Sequence, residues 1–470
     1  MSIEQTAGPN RYLLLAGVSL GGLLVPLNST MLAVALPDLR GDFDIGHAEV
    51  GWLISAYLIA MAVAQPIGGR LGDQLGRPRV FRAGLFGFLL FSLAATLAPN
   101  FITLVLLRTG QAVTGGAMMP NGMAMLRETV PVRQRGQING LYGSVMGISA
   151  AVGPLVGAGL LVLGSWRFLF LLNVPFVALA VLLQSQIRYR DTPARERPSI
   201  EWLGAMLFAA LLTVVTFLLG SLRGGQEIVA TSVGAAIFVA VGVAFVLRQF
   251  ATPDPTAEWR LFRYRSFAAA TSQVMLTYLV MYTRLLTIPF FIREVQEKSL
   301  STTGLLLGAM SILMALVAPI SGRLSDVYGR RWPAFIGSWI AFAGAVLILA
   351  GLSTETSFLY LAVSLGVLGL GVGMSVGAAT TAAVEAAPQA LAGAASGTNS
   401  MMRYIGSILG AGILAGILNS GSGAVPGIDV FRVIMAIVAG MAALAIVAAS
   451  MIHRFPSEAE DESRETSAAS

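Results

Sequence analysis

Gly69-Arg70-Leu71-Gly72-Asp73-Gln74-Leu75-Gly76-Arg77-Pro78-Arg79 is a short polar stretch clamped between two long apolar runs, and it occurs twice. The second copy, Gly322-Arg323-Leu324-Ser325-Asp326-Val327-Tyr328-Gly329-Arg330-Arg331, keeps the Gly, Leu, Asp, Gly and Arg in register 253 positions later. A ten-residue pattern repeated at that offset means two halves of one design joined in tandem. In each copy a carboxylate, Asp73 or Asp326, stands beside a guanidinium, Arg77 or Arg330. The flanking glycines, Gly69 and Gly76 or Gly322 and Gly329, allow positive φ and close backbone approach. Each copy therefore reads as a hinge with a charged latch.

With 56% hydrophobic and 11% charged residues over 470 positions, the chain is too apolar for a soluble protein of this size and belongs in a bilayer. The formal charge of +6 could suggest nucleic acid, but the basic residues are scattered over short loops rather than gathered on one domain. All are arginine except Lys298. There is no cysteine, which excludes disulfides, thiolate catalysis and cysteine metal sites. The two histidines, His47 and His453, lie at the edges of apolar runs, so no histidine relay, metal site or cofactor is expected. Without a Ser-His-Asp grouping or a nucleotide loop, an enzyme is not expected either. Glu4 and Arg11 precede the first run with no small-residue cleavage site, so that run is expected to be retained.

Fourteen apolar runs approach the roughly 20 residues needed to cross about 30 Å of hydrocarbon. Helix is the spanning form, because polarity does not alternate and each run must satisfy its own backbone in lipid. With both termini inside, inner loops and tails hold 21 of the 30 basic residues, outer loops six and the runs three, as the positive-inside rule requires. The long basic segments Arg188 to Glu201 and Arg248 to Arg265 bracket runs seven and eight. Removing that pair leaves two matching sets of six. The expected organisation is a six-helix bundle over 1–187, a linker with two inserted spans over 188–265, a second bundle over 266–455, and a disordered cytoplasmic tail over 456–470.

The repeated loop resembles the signature cytoplasmic loop of the major facilitator superfamily, a family of secondary transporters. That resemblance implies the all-α major facilitator fold, and a latch in which Asp73 meets the positive end of a helix from the other half when the inner side is shut. Other stretches resemble the fourteen-helix drug:proton antiporters of that superfamily. The first run ends Leu27-Asn28-Ser29-Thr30-Met31-Leu32-Ala33-Val34-Ala35-Leu36-Pro37. In that group the residue after the first Leu is commonly aspartate, whereas Asn28 cannot exchange a proton near neutral pH. Arg108-Thr109-Gly110-Gln111 resembles the membrane-embedded Arg-x-x-Gln motif. The fifth run, with Gly147, Gly153, Pro154 and Gly157, is close to the antiporter motif, although Ala158 replaces a glycine there. Small residues so spaced let helices touch, and Pro154 bends the helix. Arg403 before a glycine-rich stretch fits the thirteenth helix of the group; Arg284 matches no family role and stands where snorkelling to the outer interface is expected.

No carboxylate falls well inside a run: Asp38, Asp42, Asp44 and Glu49 cluster at the outer ends, and Asp73, Glu128, Asp326 and Glu385 near the inner ends. A proton-driven carrier normally holds an acid in its cavity. This chain offers arginines instead. An arginine at membrane depth costs at least about 2.5 to 3.5 kcal/mol, so it must face protein or water. The expected substrate and coupling positions are Asn28, Gln65, Arg108, Gln111, Arg284, Asn399 and Arg403, with Met118, Met119, Met123 and Met125 as adaptable lining. The resemblance implies a monomeric exporter of small amphipathic or lipid-like molecules in the cytoplasmic membrane, exchanging them for protons. Two alternatives remain open: a carrier of anions or acidic lipids with little proton coupling, and a non-transporting sensor.

Overall fold

A computed structural model of the chain describes residues 10–128, 135–185, 200–221, 228–252, 255, 258–388, 391–418 and 427–453. The tail over 456–470 and most of the basic segment after residue 187 lie outside the described residues. The apolar runs form long helices, numbered here α1 Asn10–Met31, α2 His47–Leu75, α3 Arg77–Thr96, α4 Phe101–Glu128, α5 Arg135–Leu161, α6 Asn173–Ser185, α7 Trp202–Ser221, α8 Ile228–Ala251, α9 Arg265–Phe290, α10 Leu300–Tyr328, α11 Arg331–Gly351, α12 Phe358–Glu385, α13 Ala392–Leu418 and α14 Ile428–Ser450. Helix α1 continues through a tighter 3₁₀ turn, Leu32–Ala35, into the short helix Leu36–Phe43, and α9 continues into a π turn, Phe291–Val295.

The sequence reading expects fourteen spans, whereas twelve of the described helices are long and apolar enough to cross a membrane. The difference falls on α4 and α5. Polar Arg108, Gln111 and three threonines dilute the 28 residues of α4, and the described apolar stretch of α5 is the shorter Val145–Leu161. The signature turns are built as the glycines require: Gly76 at φ 97° joins α2 to α3, and Gly329 at φ 81° joins α10 to α11.

Helix packing repeats eight helices along. Helix α4 packs on α2 and α3 as α12 packs on α10 and α11, while α1 packs on α5 and α6 as α9 packs on α13 and α14. The two halves meet along two seams, α2 with α13 and α5 with α10. The seams are alike in chemistry. A Cβ on Gly51 of α2 would come 3.1 Å from the Ala415 methyl of α13, and one on Gly304 of α10 would overlap the Ala158 methyl of α5. Small residues let these backbones approach in lipid, where packing rather than hydrophobicity joins helices.

The pair α7–α8 breaks the symmetry. Helix α7 lies on the α2–α13 seam, and α8 packs on α7. At Gly416 of α13 a side chain would collide with the Leu219 carbonyl of α7, so this contact is a backbone-to-backbone approach. Glu201 and Arg248 tie the pair together at the loop end, Arg248 donating from Nε and Nη2 at 2.9 and 2.7 Å to Glu201 Oε1. That bond holds the Glu201 carboxyl below its usual range, against a burial effect of opposite sign.

Candidate functional site

Arg108 sits on α4 among α1, α2, α4 and the segment before α6, and is only 1% exposed. A guanidinium so placed needs partners. Nη1 donates to Gln111 Oε1 at 2.6 Å, Nη2 to the Asn28 carbonyl at 3.4 Å, and its carbon lies 4.1 Å from the Tyr57 ring centroid. The spacing of three places Gln111 one turn along the same face. From there the network runs through Ser92 of α3, which accepts from Gln111 Nε2 at 2.7 Å and from Asn173 Nδ2 at 3.0 Å. Asn173 and Asn28 exchange amide bonds at 2.6 and 3.1 Å. Asn28 thus belongs to a closed polar network inside the first half, not to an open wall.

The next residue on α1 reaches across. Ser29 Oγ lies 2.6 Å from Tyr282 Oη of α9, and the two residues are separated by the same 253 positions as the loops. A residue that touches its own repeat counterpart lies on the axis relating the halves. Around that axis a second set of groups drawn from both halves is partly exposed: Gln65, Met119, Tyr278, Arg403 and Tyr404. Gln65 Nε2 donates to Tyr404 Oη at 2.7 Å and lies 3.7 Å from Met119 Sδ. Arg403 has its guanidinium carbon 5.6 Å from the Tyr278 ring and 5.2 Å from the Tyr404 ring, and Tyr278 stacks on Tyr282 at 6.5 Å. Asn399, one turn before Arg403, is buried with its side-chain oxygen unbonded.

Arg284 is not in this set. It is wholly buried, with Nη2 donating to the Ala345 carbonyl of α11 at 3.3 Å and with Nε and Nη1 unbonded. It does not snorkel, because Ala345 is the position 253 residues after Ser92 and the side chain points into the core of the second half instead of along α9.

The two ends of the molecule are held differently. At the end away from the signature loops, Arg40 pairs with Glu294, and Arg293 donates to Asp38 at 3.3 Å, both across the halves. At the loop end, Arg77 pairs with Asp73 at 3.0 Å and with Glu128 at 2.6 Å, all within the first half. Arg330 likewise pairs with Asp326 and, at 3.1 Å, with Glu385. Burial opposes the Arg330 charge, yet the bonds to Glu385 and Asp326 raise its pKa overall. Here Asp73 meets Arg77 and not a helix of the other half. Asn121 Nδ2 braces the first loop by donating to the Gly68 carbonyl at 2.7 Å.

The fifth-run glycines divide by contact. A Cβ on Gly153 would overlap Thr30 Oγ1, and one on Gly157 would come 2.5 Å from the Met31 carbonyl, so α5 lies directly on α1 there. Thr30 Oγ1 also donates to the Ala150 carbonyl at 2.9 Å. Gly147 has nothing within 4 Å. Pro154 lies inside the helix between them.

Sequence reasoning did not single out Tyr57, Ser92, Tyr278 or the cross-half pairs. The tyrosines sit in apolar stretches and carry no polarity signal, and the pairs join residues more than 250 positions apart.

A repeated helical scaffold around polar and aromatic groups, closed by ion pairs between halves at one end, is the framework of a membrane carrier. The family profile of the Major Facilitator Superfamily matches residues 18–292 and 270–469, and the chain belongs to that superfamily of transporters, which are not enzymes. Among relatives, the uncharacterized MFS-type transporter YwoD of Bacillus subtilis is 33% identical over 67% of this chain and 70% of its own length. Multidrug resistance protein 3 of the same organism is 28% identical over 76% of this chain and 69% of itself. Riboflavin transporter RibZ of Clostridioides difficile is 25% identical over 67% and 68%. The inward-facing, unoccupied crystal structure of a bacterial homologue of the human lysosomal transporter Spinster shares the fold, with a TM-score of 0.68 at 15% identity over 96% of this chain and 99% of that one.

Proposed function

We propose that the chain is a secondary active transporter that exports amphipathic, drug-like small molecules across the cytoplasmic membrane by alternating access, in exchange for protons. In this reading all fourteen helices span the membrane, both termini are cytoplasmic, the protein acts as a monomer, and 1–187 and 266–455 are the rocking bundles joined by 188–265. The observation that carries it is the unequal ion pairing of the two ends among the described residues: Arg40–Glu294 and Arg293–Asp38 join the halves at one end, while the pairs described above for Asp73, Arg77 and Glu128, and for Asp326, Arg330 and Glu385, lie within their own halves at the other. A carrier must trade one closure for the other. Gln65, Asn399 and Arg403 form the substrate wall. Arg108 and Gln111, with Asn28, couple that wall to the first half through Ser29 and Tyr282. Arg284 is a buried charge of the second half. Because no acid stands inside a run, the carboxylates placed to take the exchanged proton are Asp38 and Glu294, whose neutralisation removes the cross-half pairs. The kinship with Multidrug resistance protein 3 supports a drug-like substrate.

The test is reconstitution in liposomes with a panel of labelled amphipaths, with and without a pH gradient, beside Asp38→Asn/Glu294→Gln. Gradient-driven flux in the parent that loses its pH dependence in the double variant is expected. Binding without net flux in the parent would point to a sensor and refute the transporter reading.

A further inference from the structure

Resting on the transporter reading, we infer that the central site takes planar aromatic solutes bearing one acidic group, with Arg403 pairing that group and the tyrosines stacking the ring. The partners of Arg403 point this way. Its guanidinium is flanked by the Tyr278 and Tyr404 rings, and among the described residues it forms no ion pair with a carboxylate. The nearest acid along the chain is Glu385, eighteen residues earlier at the end of α12, where it is bound to Arg330. The fork of an arginine matches a carboxylate with two parallel bonds, and its planar face stacks on aromatic rings, so one side chain here offers both contacts.

The surrounding groups fit the same ligand. Tyr278, stacked on the buried Tyr282 at 27° between planes, and Tyr404 are partly exposed beside Arg403, and Gln65 and Met119 approach from the first half. The buried Asn399 side-chain oxygen, unbonded and one turn from Arg403 on the same helix, leaves an acceptor for a ring substituent that donates. A cationic solute beside Arg403 meets a like charge and, among the described residues, no carboxylate paired with it, whereas an anionic one supplies the missing counter-charge. Charge thus ranks three solutes that share one ring: acid first, neutral second, ammonium last.

The experiment uses the full chain in phosphatidylcholine nanodiscs and liposomes with three probes on one ring system: 2-naphthoate, 2-naphthalenemethanol and 2-naphthylmethylammonium. Binding is read by fluorescence titration and movement by counterflow. 2-Naphthoate is expected to bind at least about tenfold more tightly than the ammonium, a difference of about 1.4 kcal/mol. Arg403→Gln should erase the advantage of the acid, weakening naphthoate several-fold more than the neutral alcohol, and Arg403→Lys should restore part of it. An ammonium probe that binds as tightly as naphthoate, or an Arg403→Gln change that weakens all three alike, overturns the inference. If Arg403→Gln does not fold, the ranking by the parent alone decides. Flux of other amphipaths with the ammonium preferred would sink this inference and leave the transporter reading standing; no binding and no flux of any solute would sink both.

Discussion

Replacing Gly153 by alanine separates packing from hinge bending in the fifth helix. A methyl group there would overlap Thr30 Oγ1 and lie 3.0 Å from the Leu27 carbonyl and 3.1 Å from the Met31 nitrogen. Two of these neighbours are backbone, so α1 and α5 must separate, at a cost of about 1 to 3 kcal/mol for an overpacked contact. Gly147 is the internal control, since its added methyl meets nothing within 4 Å and gains up to about 1 kcal/mol of helix propensity. Unfolding followed by tryptophan fluorescence in detergent should then show Gly153→Ala lowered by about 2 to 4 °C per kcal/mol, as in soluble domains the size of each half. Gly147→Ala should be unchanged or raised. Because the closest overlap is with the Thr30 hydroxyl, Thr30→Ala combined with Gly153→Ala should recover part of the loss, a coupling that a double-mutant cycle measures. Equal loss from Gly147→Ala and Gly153→Ala, with no coupling to Thr30, would refute contact with α1 as the reason for these glycines.

Arg40→Glu should speed maleimide labelling of Ala33→Cys, the only cysteine such a protein would contain, by at most about fivefold, since a part-exposed pair is worth about 0.2 to 1 kcal/mol; adding Glu294→Arg should restore the parent rate, and failure to do so would argue against a lock. Arg284→Met should leave the thermal midpoint level or raise it, because a buried charge with one 3.3 Å bond gives way to an apolar chain of similar length; a loss of about 3 kcal/mol or more would mean the guanidinium has an ionic partner. Glu201 carries a lowered pKa, so its share of stability is present above the unfolded value of about 4.3 and is lost as pH falls through the folded value. Glu201→Gln should therefore flatten the acid limb of the stability curve and lower stability at neutral pH, and an unchanged acid limb would contradict the Arg248 bond.

Much of the architecture was legible because the signals were local. The repeated Asp, Gly and Arg of the loops lie close together in the sequence, and two of the three described glycines at positive φ, Gly76 and Gly329, fall within them. Arg108 and Gln111 could be read as partners because a spacing of three shares a helix face. Asn28 was legible as a polar position but not as the partner of Asn173, since nothing local links residues 145 positions apart. Arg284 reads like an interfacial arginine along its own helix, and only its bond to the Ala345 carbonyl of α11, a residue 61 positions away, shows it turned inward. Tyr278, Tyr282 and Tyr404 look like ordinary apolar-run aromatics until the fold brings them beside Arg403. The place of α7 on one seam depended on Gly412 and Gly416 of a helix two hundred residues away.

That placement makes the two flanks of the transporter unequal. Where α7 presses its Leu219 backbone against Gly416 and also touches α2, the α2–α13 seam is covered, whereas among the described residues no third long helix lies over the α5–α10 seam. The inserted helices thus shield one seam and leave the other bare, which gives the protein a front and a back in the plane of the membrane.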